Sequence, residues 1–325
     1  MKPETRFVGS ILAAAVALAA AAGAAAQSYP TRAVRVIVPY STGTATDTIS
    51  RLMAQKLSES LGQQFVVENL PGANGIPGSD IVAKAAKDGH TLGMIAANHV
   101  VTPALYGKLP YDTIRDFTPV TIVGAVPFVL VAHPSLPVKS VKELIALAKK
   151  RPGELFYSSA GNGSPPHLSG ELLKSMAGID IVHVPYRGLA PGLIDLLAGQ
   201  VSLMFPAISA GLPHARAGKL RALAVTSLKR SPAAADLPTM AETGLPGYEV
   251  YSWIGLMGPG ALPRHVVSRL HGEVTRLIQV PDVRQRLTSL GIDLIGNTPE
   301  EFSRTMQTDL EKFGKLVRAS GAKID

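Results

Sequence analysis

Cysteine is absent from all 325 residues, which excludes disulfides, cysteine-ligated zinc and a lipid anchor attached to a cysteine. Aromatic residues make up only 5% of the chain, too few to indicate the stacking platforms of single-strand binders. No G-K-[ST] follows Gly43 or Gly163, no G-x-S-x-G occurs, and the eight histidines form no H-x-x-x-H pair. We therefore expect no cofactor, no metal, no nucleic-acid partner and no catalytic residue.

Only one long apolar run is present, and it lies at the N-terminus. Lys2 and Arg6 precede the small, apolar residues 8–26, which end in Ala24-Ala25-Ala26. This order is typical of a secretory signal peptide. An uncleaved anchor is the alternative, but the run is alanine-rich and only weakly hydrophobic, whereas a spanning helix needs about 20 strongly apolar residues. We predict that residues 1–26 are a signal peptide, cleaved after Ala26.

The remaining chain is long enough for two lobes, and an apolar content of 46% supports well-filled cores. The formal net charge of the full chain, +8, is carried by scattered basic residues. Such a modest excess favours anionic ligands by electrostatic steering and gives no continuous basic surface for nucleic acid.

Short β-branched runs alternate with helical patterns along residues 27–325. The order β-α-β-α-β predicts a parallel sheet covered by helices. It occurs once before Pro119 and again after it, and the tail is predicted to be mostly helical. Capping boxes are predicted at Ser140–Glu143 and Thr298–Glu301. We predict a discontinuous first lobe of residues 27–124 and 227–325, and a second lobe of residues 125–226. The predicted strands are residues 34–38, 65–67, 92–95, 120–123, 129–131, 155–157, 179–184, 201–205 and 220–226.

Two glycine-rich loops carry the predicted binding chemistry. Residues 40–47 and 158–164 each follow a predicted strand and precede a predicted helix. The first N–H groups of a helix lack internal partners and face the positive end of its dipole, so such loops suit a carboxylate. One such loop alone would be an ordinary capped turn, but two, one in each unit, favour a shared cleft. The residues predicted to bind the ligand are Tyr40, Ser41, Thr42, Gly43, Thr44, Thr46, Asp47, His99, Gly161, Asn162, Gly163, Ser164, Tyr186 and Phe205.

Several of these side chains have a structural alternative. A free carboxylate at Asp47 would repel an anion, so we interpret Asp47 as a helix-start residue rather than a catalytic one. His99 has two equal interpretations, a cleft residue or a partner for loop backbone groups. Helix capping is the favoured role for His167, and core or hinge packing for Trp253.

Sequence motifs spread over residues 27–325 resemble one family. V-V-E-N-L-P-G-A at residues 66–73, D-G-H-T-L at 88–92, H-V-P-Y at 183–186 and G-L-P-G-Y at 244–248 occur in order. In these segments the chain is similar to the Bug-type solute-binding proteins of tripartite tricarboxylate transporters.

This resemblance implies a periplasmic, two-lobed α/β protein with a Venus-flytrap, type II-like fold and a ligand cleft between the lobes. It implies a small aliphatic or aromatic carboxylate as ligand, and integral-membrane transporter subunits as partners. We expect a monomer. The alternative is a sensor that presents its bound carboxylate to a membrane signalling kinase. No catalytic motif in the sequence supports a secreted hydrolase. A cytosolic regulator would conflict with the predicted signal peptide.

Three departures from the family pattern bear on the ligand. The first loop of the family usually has more Gly and Pro than residues 40–46 of this chain, so the extra hydroxyls here are expected to alter the ligand preference. After Gly163 the family often has Thr, then Ser or Gln, before histidine, where this chain has Ser164-Pro165-Pro166. The family often has acids near positions 202 and 206, where this chain has Ser202 and Pro206. An acid at position 206 would recognise a ligand amine, so its absence favours a plain carboxylate over an amino acid.

Overall fold

The computed structural model describes residues 29–322, so the predicted signal peptide lies outside the described residues. The strands are β1 (Val34–Val38), β2 (Phe65–Asn69), β3 (Thr91–Ala96), β4 (Phe117–Pro127), β5 (Val129–Ala132), β6 (Phe156–Ser159), β7 (Val182–Pro185), β8 (Leu203–Met204), β9 (Arg221–Val225), β10 (Tyr251–Pro259) and β11 (Asp293–Leu294). The α-helices are α1 (Ala45–Leu61), α2 (Ile76–Ala83), α3 (Asn98–Tyr106), α4 (Val141–Lys150), α5 (Pro165–Ala177), α6 (Leu189–Leu197), α7 (Ile208–Arg216), α8 (Arg264–Leu277), α9 (Pro281–Ser289) and α10 (Pro299–Ser320). None of the helices between residues 29 and 322 is long and apolar enough to cross a membrane.

The strands form two sheets that share one order, apart from the extra edge strand β11 of the first sheet. The first sheet runs β11-β4-β10-β3-β1-β2 and the second runs β7-β6-β8-β5-β9. In each sheet three parallel strands are followed by one antiparallel strand, β10 in the first and β5 in the second. Two sheets of the same order confirm the predicted two-lobed, type II-like α/β architecture.

The prediction of a parallel sheet was wrong for β10 and the short edge strand β11 of the first sheet and for β5 of the second. In the first sheet, β10 lies between β3 and β4 and is antiparallel to both. This part of the tail, which was predicted to be mostly helical, is a nine-residue strand. Its Trp253 is fully buried, in agreement with the interpretation of that residue as core or hinge packing. Strand β10 pairs with strands more than 120 residues earlier in the chain, so neither of its neighbours in the sheet is close in sequence.

Local sequence signals set the helix ends. Thr44 caps α1 by accepting a hydrogen bond from the Asp47 N–H, and Gly62 ends this helix in the left-handed conformation. The capping box predicted at α10 is present in both directions between Thr298 and Glu301. At α4 only one half forms, because the Glu143 carboxylate accepts from the Lys139 N–H.

Residues 227–250 pack against the second sheet, which bears on the predicted lobe boundary. Thr239 forms a parallel bridge with Val225 at the edge strand β9. The Tyr248 hydroxyl donates to the Ser169 carbonyl of α5 at 2.7 Å. We propose that the second lobe extends from the end of β4 to about residue 250 rather than ending at residue 226.

The two lobes share one apolar cluster. It includes Ile37 of the first sheet, Leu130 and Tyr157 of the second, and Phe313 of α10. Helix α10 packs on both α3 and α5. The halves are therefore joined by a continuous core as well as by crossing strands.

Candidate functional site

The first predicted loop is exposed and anchored from beneath. Ser41, Thr42 and Gly43 are exposed, whereas Asp47 is 4% exposed. The Gly43 N–H donates to Asp47 Oδ2 at 2.9 Å. The Thr44 hydroxyl donates to the Ser41 carbonyl at 3.0 Å, which closes the loop on itself. The hydroxyl-rich turn is thus held at the start of α1.

Asp47 is a structural anchor whose charge is matched within the protein. Arg51 Nε lies 3.0 Å from Asp47 Oδ1, and Asn69 Nδ2 donates to the same oxygen at 2.9 Å. Burial alone would raise the pKa of Asp47, but hydrogen bonds from Gly43, Asn69 and Arg51 hold the pKa below its usual value. The helix-start interpretation of Asp47 therefore agrees with its contacts.

Backbone donors remain at the start of α1. The N–H groups of Ala45 and Thr46 belong to the first turn, where no intrahelical partner exists. Thr46 itself is buried, and its carbonyl accepts from the Ser50 hydroxyl. A carboxylate above this helix end would meet backbone donors, nearby hydroxyls and the positive end of the helix dipole.

In the second predicted loop, the glycine N–H groups donate to side chains of the same lobe. The Gly161 N–H donates to Ser159 Oγ at 3.0 Å, and the Gly163 N–H donates to His167 Nδ1 at 3.0 Å. The Ser164 hydroxyl donates to the Gly161 carbonyl at 2.6 Å. The two glycine N–H groups that the sequence suggested as ligand donors are therefore turned into the lobe.

The start of α5 also carries fewer donors than that of α1. Pro165 and Pro166 fill the first helical positions after the N-cap Ser164, and proline has no N–H. The half-buried Asn162 lies at the tip of this loop. The two loops are thus chemically unequal, and the first one offers more backbone hydrogen-bond donors.

Helix α3 connects the two loops. At its start, the Tyr40 hydroxyl donates to Asn98 Oδ1 at 2.8 Å. Near its end, the Leu105 side chain lies against Gly163, so closely that a Cβ atom there would overlap it. Asn98 and Leu105 are seven residues apart, which is about 10 Å along a helix. The loops therefore lie at opposite ends of α3.

Tyr186 lies beside the second loop. Its carbonyl would be 3.5 Å from a Cβ atom at Gly161. Its hydroxyl donates to Asp195 Oδ2 at 2.6 Å, and this hydrogen bond is the main reason that the pKa of Tyr186 is raised to about 12. The tyrosine is half-buried. Because its hydroxyl already donates to Asp195, its ring is the part available to a ligand.

His99 and Phe205 lie in the core. Phe205 is fully buried, and His99 is 2% exposed. The His99 ring stacks on Tyr111 at 5.7 Å and meets Phe117 edge-on at 4.5 Å. His99 Nε2 is 3.0 Å from the Thr113 carbonyl. These contacts agree with the backbone-partner interpretation of His99, and ligand binding by His99 or Phe205 stays a prediction without a contact to support it.

Sequence reasoning did not single out Asn98, Leu105 or Asn69. Asn98 lies two residues after the end of β3, near a strand end as the two loops are, and this position was the available signal. Asn69 ends β2, and besides Asp47 it bonds the Tyr40 carbonyl at 3.1 Å. Leu105 gave no signal, because its contact with Gly163 depends on how the lobes are placed.

A cavity of about 580 Å³ lies elsewhere, between residues 227–232 and 284–295. Lys229, Arg230 and Arg284 line it together with the acids Glu249 and Asp293. It contains none of the predicted ligand-binding residues.

Comparisons with known proteins agree with the fold. The model of the tripartite tricarboxylate transporter family receptor matches residues 49–322. The structure of Rpa4515 from R. palustris with adipate is 39% identical, covering 91% of this chain and all of that one, with a TM-score of 0.74. MatC from Rhodopseudomonas palustris with bound malate is 35% identical over 89% of this chain and all of that one, with a TM-score of 0.70. The periplasmic binding protein BugD is 34% identical over 91% and 100% of the two chains, with a TM-score of 0.71. The chain belongs to the tripartite tricarboxylate transporter receptor family.

Proposed function

We propose that this protein is a periplasmic receptor that binds a small dicarboxylate between residues 40–47 and 161–164. It then delivers the ligand to the integral-membrane subunits of a tripartite transporter. The observation that carries the proposal is the pair of loops at opposite ends of α3. The first loop offers helix-start donors and exposed hydroxyls, and its one acid, Asp47, is buried against Arg51. A dicarboxylate has one anionic group for each of these two loops.

The relatives support the ligand class. Rpa4515 was solved with adipate and MatC with malate, both of which are dicarboxylates. Membership of a transport-receptor family favours delivery to a transporter over presentation to a signalling kinase. For the same reason we propose that the protein does not catalyse a reaction and releases its ligand chemically unchanged. Cleavage after Ala26 would give a mature chain that begins at Gln27, and we expect a monomer.

The unequal loops suggest how the ligand is oriented. One carboxylate of the ligand is placed at the start of α1, near Thr42 and Thr44, where more backbone donors are available than at α5. The other end of the ligand lies toward Asn162 and the Tyr186 ring. Pro206 is buried and apolar, so we expect plain dicarboxylates to bind more tightly than aspartate or glutamate.

The test is thermal unfolding of the mature protein with a panel of acids. The panel contains mono-, di- and tricarboxylates, aromatic acids, aspartate and glutamate. A ligand at 100 times its dissociation constant stabilises the folded state by about 2.7 kcal/mol, which raises the melting temperature visibly. Thr42→Val removes an exposed hydroxyl and should reduce the shift. Thr308→Val, on the exposed side of α10, is the matched control.

Two outcomes would contradict the proposal. A shift that Thr42→Val and Asn162→Ala both leave intact would move the ligand away from the loops, and the cavity near residues 227–232 would be tested next. If no acid shifts the melting temperature, mass spectrometry of small molecules carried through purification decides the ligand class. A bound compound without a carboxylate would then refute the carboxylate assignment.

A further inference from the structure

Both loops contain the same short anchoring device. In the first, the Gly43 N–H donates to the side chain of Asp47, four residues later. In the second, the Gly163 N–H donates to the side chain of His167, again four residues later. Both glycines adopt positive φ angles, 81° and 73°. Each acceptor is the third residue of its helix, so the two lobes repeat one arrangement with a different acceptor.

The two acceptors respond differently to protons. Asp47 is a carboxylate matched by Arg51. His167 accepts through Nδ1, and an imidazole nitrogen can accept only while it carries no proton. The bond to Gly163 therefore requires the neutral ring with its hydrogen on Nε2. Protonation of Nδ1 would turn this acceptor into a donor facing another donor.

A second histidine supports the ring of His167. His183 of β7 stacks on His167 with 4.2 Å between ring centroids. His183 Nε2 is 2.6 Å from Ser159 Oγ, the same oxygen that accepts the Gly161 N–H. The Gly163 N–H is thus held by one histidine of the stacked pair, and the Gly161 N–H is held by a serine that contacts the other.

The groups around this pair are mostly neutral or matched. Glu171 of α5 accepts from the Tyr157 hydroxyl of β6 at 2.7 Å and pairs with Lys174 at 3.1 Å. The Tyr248 hydroxyl, from the segment after β9, donates to a carbonyl of α5. On α10, which also packs against α5, the buried Asp309 is paired with Lys312 at 3.0 Å. Burial, with a smaller effect from Lys174, lowers the pKa of His167 to about 4.

We propose that His167 is a positioning residue of the second ligand loop, the counterpart of Asp47 in the first. Its neutral ring fixes Gly163 and thereby the placement of Asn162 and Ser164 at the ligand. Protonation of the ring at Nδ1 releases the loop. The effect on ligand affinity rests on the proposed function, whereas the state of the ring does not.

Two substitutions separate the hydrogen bond from the bulk of the ring. His167→Asn keeps an oxygen close to the position of Nδ1 but loses volume and cannot titrate. His167→Leu keeps volume but has no acceptor. If the bond to Gly163 matters, His167→Asn should bind the acid found in the panel at least fivefold more tightly than His167→Leu at pH 7, the factor expected for one neutral hydrogen bond. If packing matters, the order reverses and the proposal is overturned.

A second measurement needs no ligand. Nuclear magnetic resonance of the wild-type protein should show His167 as the Nε2–H tautomer at pH 7. The Gly163 amide resonance should move with a midpoint near pH 4, and this movement should be absent in His167→Asn. An Nδ1–H tautomer, or a Gly163 titration that persists in His167→Asn, overturns the proposal. If no acid binds even the wild-type protein, the proposed function fails, and this titration still decides the role of His167.

Discussion

Replacing His99 by glutamine should flatten the acid side of the stability profile. The Thr113 carbonyl can only accept, so His99 Nε2 carries the hydrogen and Nδ1 does not. His99 Nδ1 is buried and has no hydrogen-bond partner among residues 29–322. Burial lowers the pKa of His99 to about 4 from the ordinary value of 6.5. A proton on this ring would be charged, buried and unpaired.

The magnitude follows from the difference in proton binding between the two states. The unfolded chain takes up the proton as the pH falls through 6.5, whereas the folded chain resists until about pH 4. The contribution is fully present above pH 6.5 and is lost progressively between these two values. A difference of one pKa unit corresponds to 1.36 kcal/mol, so the wild-type protein should lose about 2 kcal/mol at pH 5 and about 3 kcal/mol at pH 4 from this residue.

The assay is urea unfolding followed by the fluorescence of Trp253, the single tryptophan of the chain. His99→Gln can keep a donor for the Thr113 carbonyl but does not titrate. It loses the stacking on Tyr111, so we expect lower stability at pH 7 together with a smaller decrease toward pH 5. His265→Gln, which replaces an exposed histidine on α8, is the matched control.

Two results would refute this reasoning about His99. One is a decrease between pH 7 and pH 5 that is equally steep in His99→Gln and in the wild-type protein. The other is a change in the His265→Gln control as large as that in His99→Gln. Ligand affinity in the same variant addresses the other interpretation of His99, because a core residue should leave the affinity nearly unchanged and a ligand-binding residue should not.

Two further predictions use matched pairs. A Cβ atom at Gly170 would overlap the buried Tyr157 ring, whereas one at Gly272 would meet nothing within 4 Å. Gly170→Ala should therefore lower the free energy of unfolding by about 1–3 kcal/mol. Gly272→Ala should raise it by about 0.5–1 kcal/mol. Equal signs in urea titrations would show that the ring moves aside. Asp47→Asn should lower the affinity for the carboxylate ligand about five- to tenfold, because it weakens the anchor of the first loop. Calorimetry measures this affinity. Asp282→Asn, which breaks an exposed ion pair, should leave that affinity unchanged, and a loss in both would indicate a general charge effect.

Much of the site was predictable because its signals are local. A β-branched run, a turn with glycine and hydroxyl side chains, and a capped helix occur within residues 34–61, so the first loop could be placed before any contact was known. The same holds for the second loop and for the capping box of α10. The helix-start role of Asp47 follows from spacing alone, because its partners Gly43 and Thr44 are four and three residues away.

Other parts depended on contacts between distant residues. Strand β10 could not be placed from sequence, because its neighbours in the sheet are more than 120 residues away. His99 follows a strand end as the loops do, and only the packing of Tyr111 and Phe117 against it turns the ring into the core. The direction of the Gly161 and Gly163 N–H groups was likewise not readable, since it depends on Ser159 and on the ring orientation of His167.

The sequence by itself determined the alternation of strands and helices, the two loops at strand ends and the family to which the chain belongs. These depend on side-chain periodicity, caps and motifs that act over a few residues. The tertiary structure alone decided which strands are antiparallel, how α3 separates the loops, and which donors face a ligand. Those features follow from long-range packing, because each hydrogen-bonding group in a loop points toward whichever partner the folded chain brings within reach.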